Sequence, residues 1–250
     1  SPSDKKSGIR TEDTDFDLSK AVTEEKIAEL TEEELRELYS KGTISKEGYG
    51  LILDLDSMAG QLTSLKNRGV PVLWRPLPEG CGDWYWWGAK GNAPYKWLWQ
   101  LIYDRFTKYF ELDNLIWIWN GQSENSLVDK RTFDIAAVDL YLDDEKDYGS
   151  RFYEEFAAVQ KFVGSDKLIA LSECGSVPDM DAAFRDNAVW SFFGQWYGKY
   201  IQDEKGEYSE KFTSKDALVR AYNSDGAMTL DEYQKMRDIE PKPAEADGED

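Results

Sequence analysis

Apolar residues follow one pattern before Gly69 and another after it. Before it they recur at helical spacing. VTEEKIAELTEEELRELYS, residues 22–40, predicts a charged helix with Ile27, Leu30, Leu35 and Leu38 as a partial apolar stripe. Residues 46–68 predict a stronger helix, with Leu51, Leu55, Met58, Leu62 and Leu65 on one face and Gly69 as its stop. After Gly69 come short continuous apolar runs: VPVLWRPL (70–77), NLIWIW (114–119), FDIAAVDLY (133–141), KLIALSE (167–173) and AVWSFFGQW (188–196). Runs of this length suit strands buried on both faces. Amphipathic stretches lie between them. Residues 95–110 turn Leu98, Leu101, Ile102, Phe106 and Tyr109 to one side, and residues 150–163 do so with Phe152, Phe156 and Val159. Such alternation predicts an α/β fold, parallel strands covered by helices.

The ends read differently. Residues 1–21 are polar and look irregular. Ser214 and Thr229 are expected helix N-caps, the latter in a capping box with Glu232. From Arg237 the acidic, proline-containing tail is expected to be disordered. The expected division is an acidic N-terminal segment with a charged helix (1–45), a partial (β/α) barrel domain (46–236) and an acidic tail (237–250). Five strands fall short of the eight in a complete β/α barrel. The pattern leaves two choices, a barrel without its start or an open α/β sheet.

Composition narrows the chemistry. With 30 basic and 49 acidic residues, the net charge is −19, which repels a phosphate backbone and argues against nucleic acid as a partner. Ten tryptophans and 14% aromatic residues leave rings over for a cleft. There is no histidine, so Ser-His-Asp and Cys-His catalysis and histidine-based zinc sites are excluded. Two cysteines, Cys81 and Cys174, make neither a disulfide framework nor a metal quartet, and read as small buried hydrophobes. No run approaches a membrane span. SPSDKKSGIR has no signal-peptide core, which leaves export open.

In a β/α barrel the working residues sit where strands end. Here those positions are Glu79, Trp119 and Asn120, Asp139 and Tyr141, Glu173, and Trp196. Two glutamates thus end strands of one sheet among indole and phenol rings. Paired carboxylates with flat aromatic faces suit hydrolysis of a glycosidic bond: one carboxylate attacks the anomeric carbon and the other protonates the leaving oxygen. Trp84, Trp86, Trp87, Trp119 and Trp196 are candidates for stacking on sugar, and Asn120 and Tyr141 for hydrogen bonding to it. Each also has a plainer explanation, as a solvated Glu, a core Trp, or an Asp139 paired with a neighbouring Arg or Lys.

VPVLWRPLPEGCGDWYWWGAKG, YKWLWQLIYDRFT, NLIWIWN, DIAAVDLY, ALSECGSVPD and the closing FFGQWYGKYIQDEKGEYSEKFTSKDALVRAYN resemble, in order, successive blocks of glycoside hydrolase family 26. The resemblance runs from about residue 10 to about residue 235. It implies a (β/α)8 TIM barrel, present here as the equivalents of its fourth to eighth strands. It also implies retaining hydrolysis of internal β-1,4-mannosidic bonds, the activity of a secreted endo-β-1,4-mannanase in polysaccharide degradation. Glu79 matches the acid/base and Glu173 the nucleophile. Trp196 matches the eighth-strand tryptophan, and Tyr141 the tyrosine near the nucleophile. Some relatives cleave mixed-linkage β-glucan or β-1,3-xylan instead. No metal or organic cofactor is implied. The expected partners are a polysaccharide and further modules of a larger polypeptide, with no membrane, and the expected location is extracellular. Where the family has histidine before the acid/base, this chain has Pro78, which donates no hydrogen bond. That departure keeps open a second expectation, a non-catalytic carbohydrate-binding remnant of such a hydrolase.

Overall fold

The computed structural model describes residues 8–141 and 152–239. In chain order it shows α1 (Leu18–Ala21), α2 (Glu32–Ser40), α3 (Lys46–Lys66), β1 (Val72–Trp74), α4 (Asn92–Asp104), β2 (Leu115–Trp119) and β3 (Ile135–Leu140). Then follow α5 (Tyr153–Val163), β4 (Leu168–Cys174), α6 (Met180–Arg185), β5 (Phe193–Gln195), α7 (Lys215–Asn223) and α8 (Leu230–Ile239). The five strands form one sheet in sequence order. β1 and β2 pair parallel with Leu73 opposite Ile116, and β2 and β3 pair parallel with Ile118 opposite Ile135. Ser191 N–H donates to Ile169 O at 2.8 Å and Leu171 N–H to Phe192 O at 3.0 Å, so the chain enters β5 in the same direction as β4.

The sheet has two unlike faces. Trp117 packs against Trp99, Tyr103 and Phe106, and Trp119 against Phe133 and Phe162, so these tryptophans point towards the helices. Alternation sends Ile116, Ile118 and Asn120 to the opposite face. There Ile118, Ile135, Ala137 and Ala170 form a buried cluster with Phe192 against it. Further towards the strand starts the same face opens: Leu73 is 57% exposed, Ile116 38% and Leu168 59%. A complete barrel fills its interior with layers of side chains. These exposed apolar residues are what an incomplete (β/α)8 sheet leaves uncovered.

Contacts divide the described residues into two units. One takes in described residues of 1–140, 154–173 and 190–193, the other those of 141–153, 174–189 and 194–250. Leu18, Ile27 and Leu35 of the N-terminal segment are buried in the first unit. Arg105 fastens that segment. Its side chain is fully buried, bonds Asp56 of α3 through Nε and Nη2 at 2.7 Å each, and donates from Nη1 to Ala28 O and Leu30 O at 3.0 and 2.6 Å. The Tyr109 ring lies 3.9 Å from its guanidinium carbon.

Several elements differ from expectation. The helix expected over 22–40 starts only at Glu32. Thr31 N–H donates to Glu34 Oε2 at 2.8 Å and Glu34 N–H to Thr31 Oγ1 at 3.3 Å, a capping box that stops the helix from extending backwards. Met58 is 42% exposed, while Ile52 and Ala59 complete the buried stripe of α3. Strand β1 is only three residues long, because Pro71 and Pro76, which flank it, cannot donate to a ladder. α5 begins at Tyr153; residues 150 and 151, expected at its start, lie outside the described residues. α6, capped by Asp179, was not expected. Ser214 and Thr229 do cap α7 and α8. α8 runs to Ile239, past Arg237 where the tail was expected to start; residues 240–250 lie outside the described residues.

Candidate active site

At the ends of the first four strands the inner face changes from apolar to polar. Arg75 follows β1, Asn120 follows β2, Asp139 lies near the end of β3, and Ser172 and Glu173 near the end of β4. All five belong to the first unit. Arg75 Nη1 donates to both oxygens of Asp139 at 3.0 and 3.2 Å, and Nη2 donates to Glu173 Oε1. Asn120 Nδ2 donates to the same Asp139 oxygens at 3.0 and 2.9 Å. Ser172 Oγ accepts from Asn120 Nδ2 at 2.8 Å and lies 2.6 Å from Asp139 Oδ1, to which it donates. Gln122 Nε2 reaches Asp139 Oδ2 at 3.4 Å.

Glu79 joins this network through its backbone. Its N–H donates to Asn120 Oδ1 at 3.2 Å, and the next N–H, of Gly80, to Asn120 O at 3.2 Å. Glu79 has φ 54°, the left-handed region, which costs a residue with a Cβ roughly 1–2 kcal/mol. Asn120 thus accepts from two successive backbone donors and holds that turn. The Trp84 indole N–H donates to Glu79 Oε2 at 2.6 Å. The loop closes tightly over glycines. A Cβ on Gly80 would come within 2.2 Å of the Tyr95 ring, and one on Gly82 within 2.2 Å of the Trp84 ring.

The electrostatics follow from burial. Burial pushes the Asp139 carboxyl up to about 6, against the Arg75 charge and the hydrogen bonds of Ser172 and Asn120, with Glu173 pushing the same way as burial. Burial also works against the charge of Arg75, but Asp139, Glu173 and Glu79 outweigh it and hold its pKa above the ordinary range. Arg75 is therefore the cation that three carboxylates share. Tyr85 is raised by burial and then by Glu79, with Glu173 and Asp139 adding to it against Arg10. Among the described residues no group of His, Cys, Asp and Glu is placed to hold a metal ion. No described helix is long and apolar enough to cross a membrane.

The other candidates separate. Trp119 is fully buried between Phe133 and Phe162, so it is a core residue and not a stacking platform. Trp87 is 5% exposed, stacks on Tyr85 at 4.5 Å and donates to Pro78 O at 2.7 Å, which also makes it structural. Asn120 is fully buried with its amide engaged, so it positions Glu79 and Asp139 instead of facing solvent. Trp86 is half-buried, edge-on to Phe16 at 4.9 Å, and lines an apolar cavity of about 330 Å³ with Leu55, Met58 and Trp74. Trp84 is 42% exposed and touches Glu79, the one member of its aromatic run in that position. Tyr141 and Trp196 belong to the second unit, where their rings meet edge to face at 6.4 Å and Tyr141 also meets Tyr200 at 5.2 Å. Cys174 is buried as expected, but Cys81 is exposed, and the two form no disulfide. Sequence reasoning missed Arg75, Ser172 and Gln122. For Arg75 a signal existed: it lies two residues beyond Leu73, on the same face of an alternating strand.

A family model described as Glycosyl hydrolase family 26 matches residues 7–220. A mannan endo-1,4-beta-mannosidase of Thermothelomyces thermophilus is 34% identical over 234 residues, covering 93% of this chain and 42% of that protein. Mannan endo-1,4-beta-mannosidase B of Piromyces sp. is 34% identical over 211 residues, covering 82% and 32%. Among solved structures, the Podospora anserina GH26-CBM35 beta-(1,4)-mannanase superposes with a TM-score of 0.74 at 33% identity, covering 92% of this chain and 46% of that one. A beta-mannanase from a symbiotic protist of the termite Reticulitermes speratus, complexed with gluco-manno-oligosaccharide, gives 0.75 at 29% identity, covering 93% and 65%. The chain therefore spans less than half the length of these two relatives of known sequence. Matched over most of its residues, it belongs to glycosyl hydrolase family 26.

Proposed function

We propose that this chain carries the catalytic carboxylates of a retaining glycoside hydrolase that cleaves internal β-1,4-mannosidic bonds in mannan. The observation that carries the proposal is the shared cation. Arg75 bonds Glu173 and pairs with Asp139, and Glu79 lies within its electrostatic reach, so one guanidinium gathers both strand-end glutamates. In the proposed reaction a Glu173 oxygen attacks the anomeric carbon while the bond to the leaving oxygen breaks. Glu79 gives its proton to that oxygen. Glu79 then takes a proton from water, which displaces Glu173 and restores the original configuration. The Trp84 N–H occupies Glu79 Oε2, leaving Oε1 to carry the proton. Arg75 orients Glu173 and balances its charge.

Mannan as substrate is supported by the relatives named as mannan endo-1,4-beta-mannosidases at 34% identity. A polymeric substrate supports a location outside the cell. Further modules on the same polypeptide are part of this proposal, as in the GH26-CBM35 relative. Pro78, the departure that suggested a non-catalytic remnant, still lends its carbonyl to Trp87, and the carboxylate network beside it is intact. The test is release of reducing sugar from mannan, with the anomer of the first product followed by proton NMR. Release of the β anomer, abolished in Glu173→Ala, is expected. Equal activity in the two proteins, or an α anomer formed first, would refute the assignment.

A further inference from the structure

The chain between α1 and α2 is held open by side chains from α4 and by Arg105. Its apolar spacing continues that of α2, yet residues 22–31 are not helical. Three carbonyls that a helix would bond to its own N–H groups find other donors. Thr23 O accepts from the Trp97 indole at 3.1 Å, and Ala28 O and Leu30 O accept from the fully buried Arg105 at 3.0 and 2.6 Å. A cavity of about 470 Å³ opens where this segment meets α4. The segment lines it with Glu25, Lys26 and Glu29, and α4 with Trp97, Gln100 and Asp104. The last three sit on the side of α4 turned away from Trp99, which packs against Trp117 of the sheet. The cavity therefore lies outside the helix layer, whereas the carboxylate network lies on the inner face of the sheet.

The lining sets the chemistry of an occupant. Lys108 Nζ lies 2.9 Å from Asp104 Oδ1 and 3.8 Å from Glu29 Oε1, so these three charges answer one another. Glu25 and Lys26 carry opposite signs, so the lining selects neither a cation nor an anion, and the net charge of −19 disfavours an anion further. What meets an occupant is a half-buried indole and the exposed side chains of Glu25, Lys26 and Gln100. An indole face covers the C–H face of a sugar ring, while an amide beside a carboxylate offers donors and acceptors to its hydroxyls. The volume falls within the range of small-molecule sites, about 300–1,000 Å³. The cavity and the carboxylates belong to the same unit. A polymer gripped at the first is held at a raised effective concentration near the second.

We propose that Glu25, Trp97 and Gln100 form a second, non-catalytic site for a neutral polysaccharide segment on the outside of the helix layer, an inference that rests on the polysaccharide-hydrolase reading of the carboxylate site. The test is adsorption to insoluble mannan, measured by depletion of protein from solution in the Glu173→Ala chain, which leaves the polymer uncut. Adding Gln100→Ala or Glu25→Gln should weaken adsorption about three- to fivefold. Both side chains are exposed, so neither change threatens the fold. Equal adsorption with and without both changes, or no adsorption by the Glu173→Ala chain, overturns the second site. The hydrolase reading fails separately, when the wild-type chain releases no reducing sugar from mannan. Adsorption needs no turnover, so it judges the second site in either case.

Discussion

Replacing Arg75 with methionine keeps most of the aliphatic stem and removes the shared cation. The ion pair it makes with Asp139 sets the size of the effect. Asp139 has a side chain with no exposed surface, and that of Arg75 is 25% exposed. Two unit charges at about 4 Å and an effective dielectric near 20 attract by about 4 kcal/mol. Solvent reaching Arg75 lowers this to about 2 kcal/mol. That part exists only while Asp139 is ionised. Burial already holds Asp139 at about 6, and loss of the Arg75 charge moves it higher still. At pH 8 the wild-type chain has Asp139 ionised and paired, while the variant must protonate it or bury it unpaired. At pH 5 Asp139 is protonated in both. The stability deficit of Arg75→Met should therefore be larger at pH 8 than at pH 5 by about 2 kcal/mol, the remainder reflecting lost packing and the lost Glu173 contact. Urea unfolding at the two pH values measures both deficits. Equal deficits would show that Arg75 does not pair with an ionised Asp139, and would refute the shared-cation account of the site.

Asp139 alone gives a related outcome. Its folded value of about 6 exceeds the unfolded 3.8, so the folded chain binds the proton more tightly and wild-type stability should fall as pH rises through that window, by up to about 3 kcal/mol. Unfolding of Asp139→Asn across pH 4–7 should lack this slope; an identical slope removes Asp139 as its source. Arg105→Met should cost about 3 kcal/mol, because it strands Asp56 and two carbonyls around a fully buried side chain. At roughly 2–4 °C per kcal/mol the melting temperature should drop by about 6–12 °C, and a change below 2 °C would count against the pin. Gly82→Ala places a Cβ 2.2 Å from the exposed Trp84 ring, which must swing off Glu79. Losing the bond that orients the acid/base should lower kcat/KM at least tenfold with melting shifted by under 3 °C; undiminished activity would show that the bond is dispensable.

The fold was largely legible because periodicity changes where the architecture changes. Each of the five apolar runs contains a strand, and in the stripe of α3 Leu51, Leu55 and Leu62 are buried, while Leu65 is partly exposed and Met58 exposed. Errors fell where local chemistry overrides period. The run through Ile27 and Leu30 continues the spacing of α2 without being helix. Ile27 is buried from a loop, and Leu30 has its carbonyl bound by Arg105. The Thr31-x-x-Glu34 signature stood in the sequence and gives the true start. Pro71 and Pro76 likewise flank β1 within its eight-residue run and leave only three residues of strand.

The site was legible by half, and the missing half follows a simple parity rule. A strand buried on both faces hides its alternation, so strand ends drew the eye to Glu79, Glu173 and the tryptophans, without saying which side each faced. Registers restore the parity. Leu73 lies opposite Ile116, and Ile118 opposite Ile135. Counting in twos along the inner face gives Leu73 then Arg75, Ile118 then Asn120, Ala137 then Asp139, and Ala170 then Ser172. On each of four adjacent strands, the first polar residue on the inner face is a member of the hydrogen-bonded network. The same parity assigns Trp117 and Trp119 to the helices, where they are found. Only Glu173 escapes it. It follows Ser172 directly, and both side chains bond into one network, so strict alternation fails near the end of β4. The proposed nucleophile thus stands where regular strand geometry lapses, and Arg75 is what draws its carboxylate inward.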